Sequence, residues 1–307
     1  MRTVLAGFII VVVAGCIAPP EEPDRAAAEI VGGAATLRYP FVVGVGGRNG
    51  AYCSGTVVAR RAVLTAGHCV SRGIRKVYLG PTLDDRAPEI AVVKVTRHPR
   101  YAEVRLASGA IGGATNDLAV LELAADAPVQ PAPLFRGTLE NSARFVGPEL
   151  VFVGYGAIDG SGLGFGTRRE ASFPIAKVGP AAVGGTPGTI DASMIYYAVP
   201  GKSACRGDSG GPAFFVEGGV LSIAAVTSFG GPRCESDGVH ARADAPQIAA
   251  FLQAELDRIE AADPCRPDGV CGPECGVRDP DCLADHCGAD GVCAEACVAD
   301  PDCESPR

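Results

Sequence analysis

Between residues 30 and about 243, apolar residues come in short β-branched runs that glycine or proline cuts off before a helix could form. Phe41-Val42-Val43-Gly44-Val45, Ile90-Ala91-Val92-Val93-Lys94-Val95 and Leu221-Ser222-Ile223-Ala224-Ala225-Val226 are three of them. With 41 glycines and 24 prolines in 307 residues, turn formers are frequent enough to punctuate such strands throughout, which fits an all-β fold of antiparallel barrels. One stretch breaks the pattern. After Asp244, a residue suited to cap a helix, Ile248, Phe251, Leu252, Leu256 and Ile259 recur at helical spacing, so a single C-terminal helix is expected over 246–261 with an apolar stripe for core packing. The apolar fraction, 47%, suffices for a substantial core, and a net charge of −8 without a basic block gives no footprint for nucleic acid.

The stretch with the most chemistry is Cys205-Arg206-Gly207-Asp208-Ser209-Gly210-Gly211-Pro212, one serine among glycines whose amides can face a reacting carbonyl. A serine hydroxyl is a weak nucleophile alone and needs a histidine base oriented by a carboxylate. His68 lies in Leu64-Thr65-Ala66-Gly67-His68-Cys69, after the strand-like run Gly55–Val58, and Asp117 lies in Thr115-Asn116-Asp117 at the mouth of the alternating run Leu118–Leu123. The order His68, Asp117, Ser209 differs from that of lipases and esterases sharing the same nucleophile chemistry. In these residues and their order the chain resembles the trypsin/chymotrypsin family of serine endopeptidases.

That resemblance implies two six-stranded antiparallel β-barrels followed by the C-terminal helix, with His68 and Asp117 on the first barrel, Ser209 on the second and a cleft between. It implies that His68 is the general base, that Asp117 orients it, and that the backbone N–H groups of Gly207 and Ser209 form the oxyanion hole. Ile30-Val31-Gly32-Gly33 looks like the family's mature N-terminus, whose new ammonium would pair with Asp208. The preceding residue is Glu29, so a separate activating protease is expected to make that cut. By the same resemblance Ser203 forms an uncharged floor of the specificity pocket, Gly230 and Gly238 form its walls, and Ser228, Phe229 and Gly230 form the substrate-binding strand. A protein or peptide substrate with Phe, Tyr or Leu before the scissile bond follows, and neither cofactor nor metal is required. The family pattern pairs Cys53 with Cys69 and Cys205 with Cys234. Three features depart from it: the chain has no tryptophan, with Tyr155 and Phe229 at two usual positions; Gly67 replaces a common alanine; and no cysteine lies between 70 and 204.

Both termini carry further signals. Arg2 precedes an apolar run over Val4–Val13 that is too short to span a bilayer, so residues 1–15 look like a signal peptide. The run ends Val13-Ala14-Gly15-Cys16, which resembles the bacterial lipobox, with lipidation at Cys16 and a plain secretory signal as the alternative. The expected location is therefore a bacterial cell envelope before activation, or outside the cell. Residues 16–29, proline-rich and acidic, read as tether and propeptide, and 30–262 as the protease domain. Residues 263–307 hold an internal repeat, 265–282 and 287–303, with Asp-Gly-Val-Cys and Asp-Pro-Asp-Cys in each unit. Units this small need staples, and disulfides of undetermined connectivity fit an exported chain better than zinc. A second reading makes the chain a catalytically inactive protease-fold protein whose tail engages a cell-surface ligand.

Overall fold

A computed structural model describes residue 31, residues 33–105, 108, 109, 111–184, 188–231 and 233–263, and residues 265, 266 and 275. The signal segment, Cys16, Glu29, Ile30 and the second cysteine repeat lie outside the described residues. The fold is all-β with one C-terminal helix. Strands Val42–Gly47, Gly50–Ala59, Ala62–Thr65, Lys76–Tyr78, Glu89–Arg97 and Ala119–Leu123 close into an antiparallel barrel, hydrogen-bonded in the order first, second, third, sixth, fifth, fourth and back to the first. Their Val, Ile and Leu side chains fill it, with Val43, Val57, Val63, Leu64 and Leu121 all fully buried.

The second unit is one continuous antiparallel row of six long strands: Arg169–Pro174, Glu149–Gly154, Pro212–Glu217, Val220–Gly230, Asp237–Arg242 and Met194–Ala198. Two-residue strands, Ala34–Ala35 and Lys177–Val178, extend the row at either end, making eight in all. Its core is aromatic: Phe152 stacks on Phe173 with centroids 3.8 Å apart, and Tyr197 packs against both. Such rings bury large apolar area from few residues and fill the wider interior of a longer row.

Helix Pro246–Ala261 buries Ile248, Leu252 and Ile259 in the same cluster as Val57 and Leu121 of the first barrel, while Phe251 and Leu256 flank it half-buried. The chain thus leaves the second unit and returns to cover the first. Asp244, expected to cap this helix, does not. The cap is Ala245, without a side-chain bond. The Asp244 carboxylate is instead taken by Arg242, at 2.6 and 3.0 Å, and by the Leu139 amide at 2.7 Å. A guanidinium buried in the interior is costly without a counter-charge, so the ion pair outcompetes the weaker cap. Past the helix, Arg60 of the first barrel binds Asp263 at 2.5 Å and the Cys265 carbonyl at 2.8 Å, and Cys265 is disulfide-bonded to Cys275. One connection within the first cysteine repeat, open from sequence, is thereby settled.

Candidate active site

His68 sits on a short 3-10 helix, Gly67–Arg72, that starts where strand Ala62–Thr65 ends. The Cys53–Cys69 disulfide ties this helix to strand Gly50–Ala59. Asp117 lies in the turn before strand Ala119–Leu123, next to Asn116, whose φ of +48° makes the chain bend there. The two residues meet through two contacts: the His68 amide donates to Asp117 Oδ1 at 2.7 Å, and His68 Nδ1 lies 2.7 Å from Asp117 Oδ2. Asp117 is fully buried, and Ser228 Oγ from the second unit also donates to its Oδ2, at 2.5 Å. Three donors thus converge on the two carboxylate oxygens, and a tautomer in which Nδ1 donates to Oδ2 leaves Nε2 as the acceptor. The Phe229 ring packs against the imidazole, with centroids 4.9 Å apart.

Ser209 lies on a loop held by its own backbone and by both units. Gly210 N donates to the Thr227 carbonyl, Gly211 N to that of Asp208 and Thr227 N to that of Gly211, each at 2.8 Å. Gly207 and Gly210 have φ of +102° and +85°, a region that side chains other than glycine rarely enter. Gly210 is also tightly enclosed, since a Cβ there would come within 2.2 Å of the Ser54 carbonyl oxygen. From the first barrel, Ser54 N donates to the Ser209 carbonyl at 2.8 Å. The fully buried Ser54 hydroxyl donates to the Gly207 carbonyl at 2.8 Å and accepts the Tyr155 amide at 3.0 Å. Among the described residues no backbone carbonyl takes the amides of Gly207 or Ser209.

Ser209 and His68 line one cleft of about 210 Å³ together with Ala204, Ser228, Phe229 and Gly230. Ser203 is fully buried behind that lining. Its hydroxyl lies 3.0 Å from the Tyr197 hydroxyl and donates to the Ala204 carbonyl at 2.9 Å, and a Cβ on Gly230 would stand 3.5 Å from it. Gly238 faces the same tyrosine: a Cβ there would meet the Tyr197 hydroxyl at 2.6 Å. The pairing of strand Val220–Gly230 with Asp237–Arg242 shifts register between Thr227 and Phe229, skipping Ser228 in the ladder. The Cys205–Cys234 disulfide closes the far side.

Asp208 points away from the cleft into the interior. Burial pushes its carboxyl up to about 6, although amides of Cys205 and Gly156, each at 2.8 Å, and the nearby Arg169 charge pull the other way. Val31 pairs by a β-bridge with Ser203, its carbonyl accepting the Ser203 amide at 3.1 Å, so the chain following Ile30 runs beside this loop. Deeper in the second unit His240 is fully buried, and among the described residues neither ring nitrogen has a partner; burial lowers its value to about 3.

Sequence reasoning overlooked Ser54 and Tyr197. The available signal was weak: a serine beside Cys53 in a strand, and a tyrosine in the apolar run Met194-Ile195-Tyr196-Tyr197, each implying a buried hydroxyl in need of a partner. Cys53, His68 and Cys69 bring potential metal-ligand atoms within 4.8 Å of one another, but both sulfurs are in a disulfide and offer no thiolate.

Comparison with known proteins bears on residues 30–249, which match a family model described as Trypsin. The chain is 30% identical over 218 residues to human granzyme M, covering 67% of this chain and 80% of that protein. It is 28% identical over 217 residues to bovine chymotrypsin-like elastase family member 1, covering 66% and 79% respectively. Mouse serine protease 56 is 29% identical over 223 residues, and there the chain spans only 35% of the relative's length.

Proposed function

The chain belongs to the trypsin family, and on that premise we propose that it is an active serine endopeptidase with Ser209 as nucleophile, His68 as base and Asp117 as the group that orients the base. Ser209 Oγ attacks the scissile carbonyl carbon while His68 Nε2 takes its proton. The tetrahedral oxyanion accepts hydrogen bonds from the amides of Gly207 and Ser209, each amounting to roughly 3–4 kcal/mol of barrier in sites of this kind. Collapse expels the amine, which takes the proton back from His68, and water hydrolyses the acyl-enzyme by the same steps. The observation that carries this reading is the doubly bonded His68–Asp117 pair in a cleft shared with Ser209.

Three finer readings go with it. Preference for Phe, Tyr or Leu before the cut is supported by a cleft with no carboxylate in its lining, by uncharged Ser203 behind it and by Arg206 at its edge. A substrate cation there would stay unpaired. Activation by cleavage between Glu29 and Ile30 is supported by the Val31–Ser203 bridge and by a buried carboxylate at Asp208 that an ammonium would neutralise. Lipidation of Cys16 would tether the uncut enzyme to an envelope, so the same cut would activate and release it.

Labelling tests the core of the proposal. Protein cleaved before Ile30 should bind an organophosphonate at Ser209 and hydrolyse a Phe amide faster than an Arg amide, and Ser209→Ala should do neither. Correctly processed protein that resists the label would favour the second reading, an inactive protease-fold binding protein acting through its cysteine-rich tail.

A further inference from the structure

At the far end of the 3-10 helix that carries His68 lies a second groove of about 540 Å³, walled by that helix end and by the turn after strand Val42–Gly47. Arg48, Arg72 and Arg75 border it, with Asn49 and Tyr52 between them. No carboxylate lines it, and among the described residues none of the three guanidiniums takes part in an ion pair; the neighbouring Glu89 is held by Lys76 at 2.5 Å. Arg72 lies over the Tyr52 ring, 4.4 Å from its centroid, which holds that charge in place on the groove wall. Arg48 also borders an adjoining groove lined by Asp84, Asp85 and Glu89, so the uncountered charge is concentrated at Arg72 and Arg75, and three cations around one concavity on a chain of net charge −8 make a local field that attracts anions.

The position of the groove relative to the reacting atoms gives it a role. Tyr52 is two residues along its strand from Ser54, whose amide binds the Ser209 carbonyl. At about 3.4 Å per residue the groove therefore begins roughly 7 Å along this strand from the residue that holds the Ser209 carbonyl, the span of about two residues of extended peptide. The acyl half of a substrate lies toward Ser228–Gly230. The leaving amine must touch His68, which returns its proton. Its chain then continues past the His68 helix, and the far end of that helix, Arg72 and Gly73, is the groove wall.

We propose that this groove binds acidic side chains on the leaving-group side of the scissile bond, so that the preferred substrates are polypeptides with Asp or Glu two to three residues after the cut. This deepens the endopeptidase reading and rests on it. Exposed charge pairs are each worth up to about fivefold, so two or three together give a preference on the order of tenfold at low salt that shrinks as ions screen it.

The test uses chain processed before Ile30 and two peptides identical up to a Phe at the cut, one continuing with Asp and Glu and the other with Asn and Gln. A Phe anilide with no residues past the cut serves as reference. The acidic peptide should be hydrolysed with about tenfold higher kcat/KM at low salt. Arg48, Arg72 and Arg75 changed together to Gln should abolish the preference and leave anilide hydrolysis unchanged. Equal rates on the two peptides, or a preference that survives the triple change, would overturn the groove assignment while the anilide rate still upholds the catalytic reading. An anilide left intact by processed wild type would sink the catalytic reading instead. Fluorescence anisotropy of the labelled peptides with Ser209→Ala protein then tests the groove without turnover: tighter binding of the acidic peptide that the triple change removes supports it, and indifference to charge refutes it.

Discussion

The two halves of the site are finished to different degrees. On the first barrel, His68 and Asp117 sit on a closed ring of strands, a disulfide anchors the helix that carries His68, and each oxygen of the Asp117 carboxylate has a donor. On the second, the Ser209 loop depends on glycines in left-handed conformations, on a buried carboxylate raised to about 6, and on a core with a histidine whose ring nitrogens have no partner among the described residues. A closed ladder satisfies its polar groups as it forms. The second half holds buried groups whose best partner comes from elsewhere in the chain or not at all, and that makes it the half whose stability responds to pH and to the proposed cut.

Four substitutions sharpen this contrast. The largest effect belongs to the first barrel: Asp117→Asn should lower kcat on the Phe anilide by about 10³–10⁴-fold with the fold intact, because an amide can present its N–H toward the imidazole and impose the wrong tautomer. A loss under tenfold by steady-state kinetics would mean that the pair contributes packing alone. At the junction of the two halves, Gly210→Ala forces a Cβ against Thr65 Oγ1 and the Ser54 carbonyl at positive φ, so urea unfolding should show a loss of about 3–5 kcal/mol.

Asp208 gives an effect that depends on pH. Its folded value, about 6, lies above the ordinary 3.8, so its contribution to stability is fully present below pH 3.8 and is lost as pH rises through 6. In uncut protein Asp208→Asn should therefore be more stable than wild type at pH 8 by up to about 3 kcal/mol, with the gain vanishing near pH 4. If the freed Ile30 ammonium supplies the missing charge, the same substitution should destabilise processed protein. Melting curves of both forms would decide it, and identical responses would discard the ion pair. The smallest effect is at His240, whose folded value of about 3 lies below the ordinary 6.5, so its contribution is present above pH 6.5 and is lost as pH falls toward 3. His240→Phe should add about 1 kcal/mol at neutral pH and flatten acid unfolding over that window. An unchanged acid transition would show that other groups govern it.

Much of this was legible in the chain. The short β-branched runs gave strands because glycine and proline end them before a helix could form, and the stripe Ile248, Leu252, Ile259 gave the helix because its period places one face inward. His68, Asp117 and Ser209 stood out because their chemistry is specific and their order restrictive. Asp244 misled because capping is a local preference, whereas Arg242 needed a buried counter-charge that no local rule reveals. Ser54 stayed hidden because its partner, Gly207, is 153 residues away.

What the sequence determined by itself was therefore whatever depends on period and residue type: the β class, the helix and the side chains that match the family's reactive residues. What only the tertiary structure decided was how polar groups distant along the chain are matched. Ser228 with Asp117 and Ser54 with the Gly207 peptide follow from the two units being folded against each other, Tyr197 with Ser203 from the packing within the second unit, and the arginines around the second groove from the turn and helix end that meet on the first barrel. Burial makes each of those pairings, or its absence, energetically consequential, and burial is a property of the assembled interior and of no single segment.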